Sequence, residues 1–173
     1  RESVDHPESQ ADIENECSVC HMPIVHYEAM VKGEKAKVFA QLPLDPNDPA
    51  GRPAADGVSC AVCHQITPKR LGTPDSYNGN FVVAPPGPDG FRNEYGPYQI
   101  EDGHKRIMTT STEGYHPTQS EHIRDSKLCA SCHTLADAKS QGTIGPNLDD
   151  AFSSDKAPGF SQQTMADIVR GQI

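Results

Sequence analysis

Residues 16–30 read ECSVCHMPIVHYEAM, and near its start two cysteines stand three positions apart with a histidine directly behind them: Cys17, Cys20 and His21. The same C-x-x-C-H spacing returns at Cys60, Cys63 and His64 and again at Cys129, Cys132 and His133. These six are all the cysteines in the chain. Two thiols at this spacing reach the two vinyl groups along one porphyrin edge, and the next residue then lies beneath the iron and offers an imidazole. The pattern predicts three covalently attached c-type haems (iron), with Cys17, Cys20, Cys60, Cys63, Cys129 and Cys132 as attachment points. His21, His64 and His133 are then the proximal ligands.

Competing chemistries fit less well. Structural zinc pairs one C-x-x-C with another, which strands the third motif and leaves the adjacent histidines without a role. A thioredoxin-like redox pair occurs once, beside a βαβ pattern that is not read in this sequence. Ordinary disulfides do not call for a histidine after every second cysteine.

The bulk composition agrees with a haem-built interior. Of 173 residues, 35% are hydrophobic and 6% aromatic, Trp is absent, and Gly and Pro contribute 14 and 15. Such a chain lacks the side-chain volume for an ordinary core, and three porphyrins would supply it. The expected fold is mainly α with extensive irregular loops, a compact multihaem cytochrome c with a core built largely from the three haems. No apolar run approaches the eighteen or so residues of a membrane-spanning helix. The first residue is Arg1 rather than Met, which reads as a mature form with its targeting segment removed. Together with c-type attachment this predicts a periplasmic or extracellular (secreted) location. A formal charge of −9 excludes nucleic acid as a natural partner and favours redox proteins with basic docking surfaces. The plain alternative is an acidic surface that only maintains solubility.

Along the chain, residues 9–21 predict a short helix carrying the first motif and stopped by Pro23. Residues 24–41 predict a second helix, with Ile24, Met30, Val31, Val38 and Phe39 as its apolar positions and Gly33 as a weak point. LPLDPNDPAGRPAADG, residues 42–57, is a Pro/Asp/Gly loop. Its Asp45, Asn47 and Asp48 lack the EF-hand arrangement, so they read as turn formers. Residues 66–100 predict irregular, proline-rich chain with strand character at FVVA, 81–84. Helix is expected again from about Ser120 through the third motif to Ala138, and once more over 162–170, with Phe160 and Met165 forming a staple around Ser161. This gives residues 1–125 as a dihaem module with a long Pro/Gly-rich loop, and 126–173 as a third-haem segment packed on it.

Three irons need three further ligands. His26 lies too close to His21 to pass around the porphyrin and reach the same iron, but it can reach a neighbouring haem; the plain reading is an exposed helix histidine beside Tyr27 and Glu28. His122, seven residues before Cys129, points by the same reasoning to another haem, the second. His104 and Met108 stand four apart and share a helical face, so one can ligate while the other packs, and a Met ligand would raise the potential. His116, in the turn-like GYHPT, and His6 rank lower.

Two resemblances follow from these segments. DGVSCAVCHQI (56–66), YGPY (95–98), RIMTTSTEGYHP (106–117) and EHIRDSKLCASCHTL (121–135) resemble a multihaem c-type cytochrome family, distantly like the electron carriers related to hydroxylamine oxidoreductase. That resemblance implies Met108 and His122 as axial ligands. From CASCHTL onward the chain is similar to a class I cytochrome c. GTIGPNL (142–148) matches the loop whose proline carbonyl accepts the proximal imidazole N–H, which implies that Pro146 orients His133. Class I proteins place the distal Met after a helix such as TMADIVRG, and none follows before Ile173, so the third haem's ligand is expected from elsewhere in the chain, from a neighbouring subunit, or from chain beyond Ile173.

The expected function is electron transfer between redox partners through three closely spaced haems, without catalysis. Two alternatives remain. One is a protomer of an extracellular cytochrome filament or a subunit of a larger redox complex, self-associating through inter-subunit haem ligation. The other is a nitrogen-oxide oxidoreductase with one open haem.

Overall fold

The computed structural model describes residues 2–45, 47–112, 114–136, 139 and 147. It consists of short helices joined by long irregular segments: α1 (Glu2–Asp5), α2 (Gln10–His21), α3 (Pro23–Val31), α4 (Arg52–Ala55), α5 (Cys60–Gln65) and α6 (Asp102–Ser111). Two four-residue strands, β1 (Asn93–Gly96) and β2 (His116–Gln119), pair in parallel with Asn93 opposite His116.

α2 forms where the sequence predicts it, and its end has a local cause. Met22 precedes Pro23, whose ring disfavours helical geometry in the residue before it; Met22 takes φ −141° and ψ 57°. Pro23 then occupies the first turn of α3, where its missing N–H costs nothing. α3 ends at Val31 rather than continuing to residue 41. Gly33, at φ +73°, forms a helix-stopping turn: its N–H bonds Met30 O at 3.0 Å, and the Glu34 N–H bonds Ala29 O at 2.9 Å. The apolar positions Val38 and Phe39 belong to a separate 3₁₀ turn, Phe39–Gln41.

The segment after α3 folds back on α2 through three polar ties. Lys35 pairs with Asp12, Ala36 N–H donates to Asn15 Oδ1 at 3.1 Å, and Phe39 N–H donates to Glu14 Oε2 at 2.9 Å. Residues 47–50 are turns, as predicted, with Asn47 N–H bonding Asp45 Oδ1 and Ala50 N–H bonding Asp48 Oδ1, but Arg52–Ala55 of the same expected loop forms α4, started by Pro53 in its first turn.

Three further expectations are corrected. FVVA contributes only a single antiparallel bridge, Val83 opposite Ile66. His116 lies on β2 rather than in a turn. The third motif is not on a long helix but in 3₁₀ turns, Glu121–Arg124 and Cys129–Ser131, separated by Asp125, whose extended backbone and side-chain bond to the Lys127 N–H break any helix. The strands and α6 also make a small βαβ unit, a pattern not read in the sequence; no cysteine lies within it. The helix at 162–170, Met165, Pro146 and most of the 126–173 segment lie outside the described residues.

The interior is thin. Among the described residues the buried hydrophobic side chains are Val19, Met22, Ala36, Ala54, Ile66 and Ala130, while Met30, Val31, Phe39, Leu42 and Ile107 are exposed. The largest fully buried side chains are three serines, Ser18, Ser76 and Ser131. Two of these, Ser18 and Ser131, sit inside C-x-x-C-H motifs. No described helix is long and apolar enough to cross a membrane.

Candidate functional site

Each motif has its own local support. The first occupies the last two turns of α2, where Cys17 is exposed, Cys20 half-buried and His21 exposed. The second forms α5 itself. The third lies on the Cys129–Ser131 turn, with His133 half-buried. All six cysteines are free. No group of three or more His, Cys, Asp or Glu converges on a metal-sized position among the described residues, so the thiol pairs do not assemble a zinc-type tetrahedron.

The three motifs nevertheless meet, and the third is the common neighbour. The Cys132 thiol hydrogen-bonds Cys20, which brings Cys20 down to about 7 and pushes Cys132 up. Burial pushes the Cys63 thiol up, reinforced by Cys129 and Cys60 beside it; Cys129 is likewise raised by burial. The segment after α5 bridges first and third motifs through Gly79. Its N–H bonds Ser131 O at 2.7 Å, and a Cβ at this position would stand 1.9 Å from Val19 Cγ1 and 3.9 Å from Cys20 Sγ. Only glycine fits, and its φ of +78° asks for glycine as well.

The second motif is tied to β1. His64 Nδ1 is 2.5 Å from Tyr95 O. A carbonyl oxygen only accepts, so Nδ1 carries the proton and Nε2 is left with its lone pair, the form and orientation a metal-ligating imidazole takes. Gln65 Nε2 donates to Glu94 Oε1 at 2.6 Å, fixing the same pair of elements.

The distal candidates fall in different surroundings. His26, on α3, has Nδ1 at 2.9 Å from Ser18 Oγ and lines a cavity of about 310 Å³. His122 is brought to the second motif: Nε2 lies 2.8 Å from Ile66 O, Nδ1 2.7 Å from Ser120 Oγ, and the ring packs edge-on to Tyr95 at 5.1 Å. His104 and Met108 both sit on α6, four apart, with His104 exposed near Glu101 and Met108 half-buried. His116 pairs with Asp89 at 3.0 Å, and His6 with Glu8 at 3.4 Å. Sequence reasoning missed Ser18, Gly79 and Tyr95. The serine and glycine carry no motif signal, and Tyr95 acts through its backbone carbonyl, which any residue has.

The residues present fit haem. The donor set is a thiol pair with a following imidazole in all three places. The described residues supply too few buried apolar side chains to close an interior by themselves. Ser59 Oγ, buried immediately before Cys60, has no hydrogen-bond partner, which marks a polar group waiting for something beside the second motif. No protein-family model, curated protein sequence or solved structure matches this chain. What it does must be read from its own residues.

Proposed function

We propose that the chain is a trihaem c-type cytochrome that carries electrons between redox proteins outside the cytoplasmic membrane. The observation that carries this reading is the meeting of all three C-x-x-C-H motifs around the third, with Cys132 in contact with Cys20 and Ser131 tied to Gly79. Six thiols add S–H across vinyl groups without releasing anything, and His21, His64 and His133 offer the proximal imidazoles. When bound, haem supplies one-electron chemistry at iron. The protein's own work is to hold ring nitrogens unprotonated toward the iron, as the Tyr95 carbonyl does for His64, and to exclude water from the faces it covers. The three distal ligands are drawn from the four candidates His26, His104, Met108 and His122. The charge of −9 suits a partner with a basic docking face.

The test begins with the protein matured in a host that attaches c-type haem. Pyridine haemochrome analysis against protein concentration is expected to give three haems per chain, and low-temperature EPR to show all iron low-spin. Fewer than three thioether-bound haems would overturn the reading. A stoichiometric high-spin third would turn it toward a haem enzyme with an open site.

A further inference from the structure

The ring of His26 is held in one particular tautomer. Ser18 is fully buried and has one hydroxyl proton, which it donates to Asn15 O at 2.5 Å. With no second proton to give, Ser18 Oγ must accept from His26 Nδ1–H across their 2.9 Å contact. Neutral His26 therefore keeps Nε2 unprotonated, and Nε2 meets no hydrogen-bond partner among the described residues. An imidazole fixed at Nδ1 by an oxygen acceptor with a bare Nε2 is the form that binds iron. The ring lines the 310 Å³ cavity together with Val19, Met30, Phe81, Val82 and Arg70.

Which iron it faces follows from what surrounds that cavity. Ser18 lies between Cys17 and Cys20 on the same helix as His21, so the bond that orients His26 ties it to the helix that would carry the first haem's own proximal ligand. The second motif's Ala61, Val62 and Gln65 line an adjoining cavity, of about 380 Å³, that shares Pro23, Tyr27, Phe81 and Val83 with this one but not His26, and its histidine is tied to β1. Gly79 lines the His26 cavity and is bonded to Ser131 of the third motif. Resting on the trihaem reading above, we infer that His26 is the distal ligand of the haem on the third motif, held for it by Ser18 as a positioning residue. The third haem thus takes its second ligand from α3, within this chain, and no segment from a neighbouring copy is needed to complete it.

The experiment uses the matured holoprotein. His26→Gly is expected to retain three attached haems and to convert one third of the iron from low-spin to high-spin, with free imidazole restoring the low-spin signal. Combining it with His133→Gly should still perturb only one third of the iron, because both side chains serve one haem. Two thirds perturbed in the double variant, or an all-low-spin His26→Gly, would overturn the assignment while leaving the trihaem reading intact; failure of that reading would show instead as fewer than three haems in the unaltered protein. Should His26→Gly not accumulate, His26→Met is expected to stay low-spin with one potential raised, and unchanged potentials would count against the assignment. Ser18→Ala should keep every iron low-spin yet shift the potential of that same haem upward, because a histidine without its Nδ1 acceptor is a weaker donor to ferric iron. Ser18→Thr should return it. An unmoved potential in Ser18→Ala would reduce Ser18 to a packing residue.

Discussion

Two serine–histidine pairs look alike and do opposite things. Ser18 contacts His26 Nδ1 at 2.9 Å, and Ser120 contacts His122 Nδ1 at 2.7 Å. In the first pair the serine has already given its proton to Asn15 O, so the histidine donates and its Nε2 is bare. In the second the histidine's Nε2 lies 2.8 Å from Ile66 O, a group that only accepts. There Nε2 carries the proton and Nδ1 receives the serine hydroxyl. The lesson is that the role of a histidine near a metal motif is decided one bond further out than the contact itself. On the trihaem proposal His122 would reach iron through Nε2 only by giving up Ile66, whereas His26 would give up nothing.

The strongest way to break the first arrangement is Gly79→Ala. The new methyl would overlap Val19 in the middle of the first motif, at 1.9 Å. Overpacking of about 1–3 kcal/mol adds to about 1–2 kcal/mol for a left-handed backbone with a side chain, so a loss of roughly 2–5 kcal/mol is expected in denaturant unfolding. Gly90→Ala sharpens the result. That glycine has φ +86° but open space around its missing Cβ, so only the backbone cost should appear. Equal losses at the two sites would mean that the Gly79–Val19 contact is not a tight one.

Next in size is the tie between α2 and the segment beyond α3. Glu14 is buried and accepts from Gln10 Nε2 at 2.7 Å and from the Phe39 N–H, and these bonds hold its carboxyl below the ordinary carboxylate range. Its stabilising contribution is therefore complete above about pH 4.3, the unperturbed value, and is lost as pH falls through the lower folded value. Glu14→Ala should cost about 1.5–3 kcal/mol near neutrality and flatten the acid limb of the stability profile. An unchanged acid limb would place the acid sensitivity elsewhere.

The smallest effect tests the second pair. Ser120→Ala removes one hydroxyl donor to His122 and should cost about 0.5–1.5 kcal/mol without moving any reduction potential. A shifted potential would mean that His122 has turned its Nε2 from Ile66 to iron, making the two pairs equivalent after all.

Much of this architecture was readable from spacing. α2 and its stop at Pro23, the Asx turns around Asp45 and Asp48, and the shared helical face of His104 and Met108 all follow from local rules. The sequence misleads where a local signal has two meanings. Gly33 reads as a weak spot inside a helix, yet its positive φ makes it the stop, so Val38 and Phe39 lost their helix. Strands β1 and β2 are four residues each, too short for alternation to show, and NEYG and HPTQ have little apolar content to alternate. The site divides the same way. The cysteines and the histidines behind them are marked by spacing, while Gly79 and the Tyr95 carbonyl act through pairings far apart in the sequence, and Ser18 meets His26 eight residues on only because the chain turns between α2 and α3.

The thin interior has a consequence for the life of the protein. Six mostly small buried hydrophobic side chains among the described residues give this part of the chain little to hold it shut, so on the trihaem proposal ligation and folding would become a single event. If that proposal holds, a haem-starved cell should accumulate almost none of it, because proteases act on opened chains. Limited proteolysis of matured and haem-free chains would display this as a large difference in survival. Supply of porphyrin, rather than transcription, would then set how much of the protein exists.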